Sequence, residues 1–211
     1  MYYFLFPLLL LSSYLSAGCD ARVDIGPAFA SIDMLESGKT VRTYNLGAIK
    51  GDAAVVYQGF AIKPSFLYAD GKANLTSGSV GLGFCIPVIE DVYVTPSYGF
   101  TETRFKSKIE KFTSHGQYVA LDVSWSFIKG WRVYGMAQWC WSRVHTTLYF
   151  PFGTNILLKS HCKGPNYAIA LEHDISDQFS VSLAAGYNTS LSKEKHGLRG
   201  KGVKLGLVYW W

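Results

Sequence analysis

From Gln117 to Phe127 the chain alternates without interruption: Val119, Leu121, Val123, Trp125 and Phe127 take one side, Tyr118, Ala120, Asp122, Ser124 and Ser126 the other. Period two over that length is a β-strand with one oily and one polar face, because successive side chains leave opposite sides of a strand. One such strand would suit a water-soluble sandwich equally well. Its recurrence is the stronger constraint. Trp131, Val133, Gly135, Ala137, Trp139 and Trp141 share a face just after a tight Lys129-Gly130 turn. Tyr167, Ile169 and Leu171 alternate next, and Phe179, Val181, Leu183, Ala185 and Tyr187 follow a Ser176-Asp177 turn. Upstream, Val80, Leu82, Phe84 and Ile86 and then Val92, Val94, Tyr98 and Phe100 repeat the pattern, with small and polar residues between them.

Composition separates a membrane barrel from a soluble sandwich. The chain is 16% aromatic but only 17% charged, against roughly 25% charged residues in ordinary globular domains. A helical membrane protein would carry apolar runs of about 20 residues, and none occurs after residue 17. Strands that alternate lipid-facing and lumen-facing residues account for all three observations. Trp131 and the Trp139/Trp141 pair are spaced as two aromatic girdles would be, about 20 to 25 Å apart on a tilted strand.

Ten strands are expected, near 22–34, 39–49, 53–69, 72–87, 92–105, 115–128, 131–145, 163–175, 178–191 and 200–211. Eight remain if the segment before residue 53 is a plug or loop. Pro64 and Pro96 sit awkwardly inside two of them, since proline offers no N–H to a ladder. Short turns are expected at 50–52, 88–91, 129–130 and 176–177, and long loops at 106–114, 146–162 and 192–199.

At the amino terminus, the apolar stretch Tyr3 to Leu15 followed by Ser16, Ala17 and Gly18 reads as a secretory signal peptide within residues 1–21, cleaved after Ala17, Gly18 or Ala21. No Lys or Arg precedes the apolar stretch. Leu15-Ser16-Ala17-Gly18-Cys19 also resembles a relaxed lipobox, which would make Cys19 a lipidated first residue. Residues 22–211 are expected to form one domain. Cys85, Cys140 and Cys162 match no Cys-x-x-Cys pattern, and their pairing is open.

The last strand places Val203, Leu205, Leu207, Tyr209 and Trp211 on one face and stops on an aromatic. This resembles the assembly signal of outer-membrane proteins, carried here by Leu205, Leu207, Tyr209 and Trp211. The whole of 22–211 therefore resembles the small bacterial outer-membrane β-barrel class of OmpA-type membrane domains, OmpX-like proteins and the opacity proteins. That resemblance implies an all-β, antiparallel, up-and-down transmembrane barrel, inserted by the outer-membrane assembly machinery. It implies extracellular loops that carry the function, and it names no ligand.

A barrel of this size fills its interior with side chains, so Asp24, Lys63, Asp122, Arg132, Glu172, Asp174 and Lys204 are expected to pair inside it. No catalytic set, cofactor or metal site is assigned, and a net charge of +5 with scattered cations argues against nucleic acid. The cations gather in the expected outer loops: Lys106, Lys108 and Lys111 in one, Lys193, Lys195 and Arg199 in another, with Lys159 and Lys163 bordering a third. They suit a structural or surface-interaction protein that contacts lipopolysaccharide phosphates or a host surface in an adhesin-like way. Two alternatives stay open. One is a barrel hydrolase or acyltransferase using His115, His145 or His161, and the other is a small porin or transporter. The apolar loop from Thr146 to Leu158 either extends the strands or forms an adhesive hairpin.

Overall fold

A computed structural model describes residues 19–149 and 155–211, and every regular element among them is a strand. In chain order they are β1 (Cys19–Glu36), β2 (Lys39–Tyr57), β3 (Phe60–Gly71), β4 (Asn74–Phe84), β5 (Ile86–Ile89), β6 (Val92–Lys106), β7 (Glu110–Ile128), β8 (Trp131–Tyr149), β9 (Asn155–Asp174), β10 (Phe179–Leu191) and β11 (Gly197–Trp210). Residues 1–18 of the signal peptide expected at 1–21, and residues 150–154 of the apolar loop, lie outside the described residues.

All pairings are antiparallel, and β1 pairs with both β2 and β11, which closes the ring. β4 and β5 occupy one place in it, because both pair with β6 in continuous register, Gly83 opposite Ser97 and Ile86 opposite Val94. The interruption falls at Cys85, beside the stretch of β6 that holds Pro96. A residue without an N–H breaks a ladder there without ending the strand. The wall thus has ten staves, the number the alternation predicts.

Two expectations about connections are corrected. The first short turn is not at 50–52: β2 runs through it, and the chain reverses at Gln58-Gly59, whose φ values are 48° and 85°. Positive φ at both central residues is what a two-residue hairpin requires. Lys50 and Asp52, which read as turn residues, point into the lumen and form an ion pair. Gly51 between them is a lipid-face contact, since a Cβ there would meet the Phe66 ring at 2.1 Å. The long loops are also shorter than expected, and only 107–109 and 192–196 of those at 106–114 and 192–199 lie between strands. β6 and β7 reach Lys106 and Glu110, β8 and β9 reach Tyr149 and Asn155, and β10 and β11 reach Leu191 and Gly197.

β7 and β8 have 19 residues each, about 60 Å at roughly 3.3 Å per residue. Only about 9 to 11 residues are needed to cross a bilayer. The surplus stands beyond the membrane at the end opposite the termini. The outward side chains mark where the bilayer stops. On β8 they read Val133, Gly135, Ala137, Trp139 and Trp141, then Arg143 and His145; on β11, Leu207, Leu205 and Val203, then Lys201 and Arg199. Ile25, Phe29, Ile62, Phe66, Leu82, Phe100, Leu121, Ile169 and Leu183 are exposed on the same outward band. A soluble protein does not leave an apolar belt of that extent in water; this is a transmembrane barrel.

Candidate functional site

The lumen is closed twice. Toward the long end, Ile32, Tyr44, Leu46, Leu75, Phe105, Phe112 and Val144 form one buried apolar cluster, with the Tyr44 and Phe105 rings edge to face at 5.2 Å. Toward the termini the filling is ionic. Glu172, fully buried, accepts from Arg22 Nη2 at 2.8 Å, Arg132 Nη1 at 2.9 Å and Trp210 Nε1 at 2.9 Å. Arg132 also donates to Asp174 at 2.8 Å, and Ser180 donates to the other oxygen of that carboxylate at 2.7 Å. Lys204 lies 2.9 Å from both Asp24 and Asp52. Nearer mid-barrel, Lys63 pairs with Asp122. All seven lumen charges read from the alternation point inward and are paired, as burial of a charge demands.

Four members of this lattice escape the sequence reading: Arg22, Lys50, Asp52 and Trp210. Lys50 and Asp52 were hidden by the misplaced turn. Arg22 lay at an expected strand boundary. Trp210 is overshadowed by Trp211, although period two along β11 sends the two tryptophans to opposite faces.

With the lumen filled, the outer surface holds the unneutralised charge. Lys106 and Lys111 face each other across the β6–β7 pair, with Lys108 in the turn between them. Lys193 and Lys195 lie in the β10–β11 turn, which docks on the β1–β2 turn through Gly38 N–H donating to the Lys195 carbonyl. Arg199 is not a free loop cation. It sits on β11 and donates to Asp33 at 2.9 Å and Thr40 at 2.9 Å. The Thr43 hydroxyl, donating at 2.6 Å, and then Arg199 hold the Asp33 carboxyl below its ordinary range. Lys159 and Lys163 lie exposed on β9. Arg104, Arg143 and Lys201 join the outward cations above the apolar band. Extending the period-two alternation of β6, β8 and β11 past the last aromatic would have found them.

His115, His145 and His161 all face outward and are exposed. Ser114, which precedes His115 in the chain, is buried on the inner face of the same strand, so the two side chains diverge. His115 Nδ1 lies 3.5 Å from Glu102. Among the described residues, no three His, Cys, Asp or Glu side chains converge as a metal site would need.

Trp139 and Trp141 stand at the upper edge of the outward band, 40% and 47% exposed. Trp131 stands at the lower edge, stacked on His173 with centroids 4.2 Å apart. Leu205, Leu207 and Tyr209 line the outward face of β11, and Trp211 follows it, its ring 4.7 Å from that of Tyr209. Cys85, Cys140 and Cys162 are all unbridged.

No protein-family model matches the sequence, and no curated protein does. Solved structures match the fold. The outer-membrane protease OmpT of Escherichia coli aligns over 92% of this chain and 97% of its own, with a TM-score of 0.60 and 11% identity. The attachment invasion locus protein Ail of Yersinia pestis, solved with the heparin analogue sucrose octasulfate, aligns over 92% and 99%, with a TM-score of 0.47 and 11% identity. Neisserial surface protein A aligns over 92% and 97%, with a TM-score of 0.46 and 11% identity. The OmpT likeness is one of fold: the chain has the architecture of a small outer-membrane β-barrel.

Proposed function

We propose that this chain is an integral outer-membrane protein that acts through its outer surface, its basic rim meeting the phosphates of lipopolysaccharide. The observation that carries this reading is the asymmetry of charge. Lumen cations have acidic partners, whereas Lys106, Lys111, Lys193 and Lys195 are exposed at the end opposite the termini and form no ion pair among the described residues. An even number of staves sets both termini at one end, which is the periplasmic end in bacterial barrels. The basic end is then extracellular, where anionic glycolipids and host surfaces are met. An adhesin-like role follows from the same charge, and the doubly closed lumen supports a barrel that conducts nothing.

The test is co-flotation of the refolded chain with vesicles containing lipopolysaccharide, at pH 7.5 and low salt, against phosphatidylcholine vesicles. Preferential binding to lipopolysaccharide that falls with salt, and falls again in the quadruple variant K106Q/K111Q/K193Q/K195Q, is expected. Equal incorporation into both vesicle types, indifferent to salt and to the four substitutions, would overturn it.

A further inference from the structure

The outer wall of β6 to β9 carries charge in ordered rows. The topmost row of the apolar band holds Phe100, Gln117, Trp141 and Lys163, each paired with the next across the sheet. One two-residue step higher stand Glu102, His115, Arg143 and His161, and one step above them Arg104, Thr113, His145 and Lys159. Lys106 and Lys111 follow. Each step is about 7 Å of strand. At a tilt of about 40°, Arg143 and His145 lie about 5 and 11 Å above Trp141 along β8, and their paired neighbours step up or down by about 3 Å per strand, so the patch spans the headgroup layer of a bilayer. Six cations, Arg104, Lys106, Lys111, Arg143, Lys159 and Lys163, are exposed on this flank, and three histidines stand among them.

We propose that this flank is a binding surface for the phosphates of outer-leaflet lipid headgroups, centred on Arg143, and that His115, His145 and His161 make its affinity rise as the medium acidifies. The inference rests on the surface role proposed above and names where and how that role is exercised.

Position selects a lipid as the occupant. The patch lies on the side of the barrel, level with headgroups that surround it in the membrane, whereas a soluble polyanion would have to reach past them. Guanidinium groups suit phosphate, which they engage in a bidentate fork. Among the ladder neighbours of each histidine all are cationic or neutral except Glu102, which is also ion-paired with Arg104. His115 is opposite Arg143 and beside Arg104 and His145, with the acid Glu102 at 3.5 Å. His145 is opposite Thr113 and Lys159, with Lys111, His115 and His161 diagonal to it. His161 is opposite Arg143, and on its other side the last paired residue of β10 is Leu191, opposite Lys163. A phosphate bound among them favours a positive charge on each imidazole. Proton binding and phosphate binding therefore reinforce each other, and between about pH 8 and 5 histidine is the side chain positioned to respond.

Three added charges about 8 Å from a phosphate in water strengthen binding about tenfold at low salt. The lipid's own phosphate chemistry runs the other way, because a phosphate that takes a proton binds a cation less well. A gain on acidification is thus assignable to the protein.

The experiment uses the full mature chain refolded in detergent and titrated with bisphosphorylated lipid A, and with its dephosphorylated form, at pH 7.5 and 5.5, bound lipid being counted by native mass spectrometry. The wild type is expected to bind the phosphorylated form about tenfold more tightly at the lower pH. H115N/H145N/H161N loses the gain, binding no more tightly at pH 5.5 than at pH 7.5, while R143Q weakens binding at both. The single variant H161N, which loses part of the gain, serves if the triple variant does not fold. A triple variant with wild-type pH dependence overturns the switch. Equal binding of dephosphorylated lipid, or displacement by heparin at equal anionic charge, overturns the lipid-phosphate assignment. If lipopolysaccharide binding survives without pH dependence, the proposed function stands and this inference alone fails.

Discussion

Trp210 donates its indole N–H to Glu172 at 2.9 Å, tying the last strand to β9 across the intervening β10. The same ring receives the Arg132 guanidinium at 4.6 Å from its centroid. Glu172 thus holds two arginines and an indole in a space without bulk water. Replacing it by alanine leaves Arg22 with Asp24 alone, Arg132 with Asp174 alone and the Trp210 N–H without an acceptor, and the expected loss is about 3 kcal/mol, the lower end for breaking a buried pair. Trp210→Phe removes one hydrogen bond to a charged group, about 1.5 to 3 kcal/mol. Trp211→Phe leaves the lattice intact. Urea midpoints of the refolded protein, read by heat-modifiable migration, should fall in that order, E172A lowest.

Asp33 predicts an acid-labile rim. Its carboxyl is held low by the Thr43 hydroxyl and by Arg199. A carboxylate depressed in the folded state contributes stability that is complete above its unfolded value, about 3.9, and is lost as pH falls through the lower folded value. Protection factors of the amides along β1, β2 and β11 near Asp33, taken relative to intrinsic exchange at each pH, should fall below about pH 4 in the wild type. In D33N they should already be lower at pH 7 and change little on acidification.

Glu110 predicts the opposite slope. It is 4% exposed, its Oε1 has no hydrogen-bond partner among the described residues, and burial raises its carboxyl above the ordinary range, with Arg42 opposing and Glu36 reinforcing the shift. A raised carboxyl costs stability when ionised, and the cost disappears as pH falls through the folded value toward about 4.3. E110Q should therefore be more stable than wild type at pH 7 and indistinguishable from it near pH 4. Thermal midpoints at the two pH values decide the matter, and an E110Q variant less stable at pH 7 would contradict it.

The Gln58-Gly59 turn predicts a local cost. Gly59 has φ of 85°, and a Cβ there would meet the Phe84 ring at 2.8 Å. Gly59→Ala should destabilise by about 1 to 2 kcal/mol from backbone conformation alone. Gln58, at φ 48°, is a non-glycine residue in the same region, so Gln58→Asn should stabilise by a few tenths. Denaturant midpoints compare the two.

Closure in series predicts silence in planar bilayers. The Phe105 cluster and the Glu172 lattice block the lumen at different heights. Phe105→Ala opens one and leaves the other, so neither the wild type nor F105A should show discrete conductance steps. Steps in the wild type would mean that the lumen opens.

The alternation of β7 to β11, the ten staves, the outward apolar band and the inward charges were legible in the residues themselves. Period two is a property of the strand, and a strand that borders lipid on one side and a lumen on the other must write both in its sequence. Where strands end was not legible. Lys50-Gly51-Asp52 reads as a turn by composition, yet a lumen with Lys204 to pair and a lipid face with Phe66 to seat draw it into β2. Polar stretches such as 106–114 and 192–199 read as loops because polarity usually means a turn, whereas above a membrane a strand is polar on its outer face and remains a strand through its ladder. The partners of each charge belonged to the closed barrel alone. Arg22 and Glu172 lie 150 positions apart in the chain, and only the register that brings β1 against β11 and β9 toward both sets one beside the other. Local periodicity determined the faces; ring closure decided which residues meet across them.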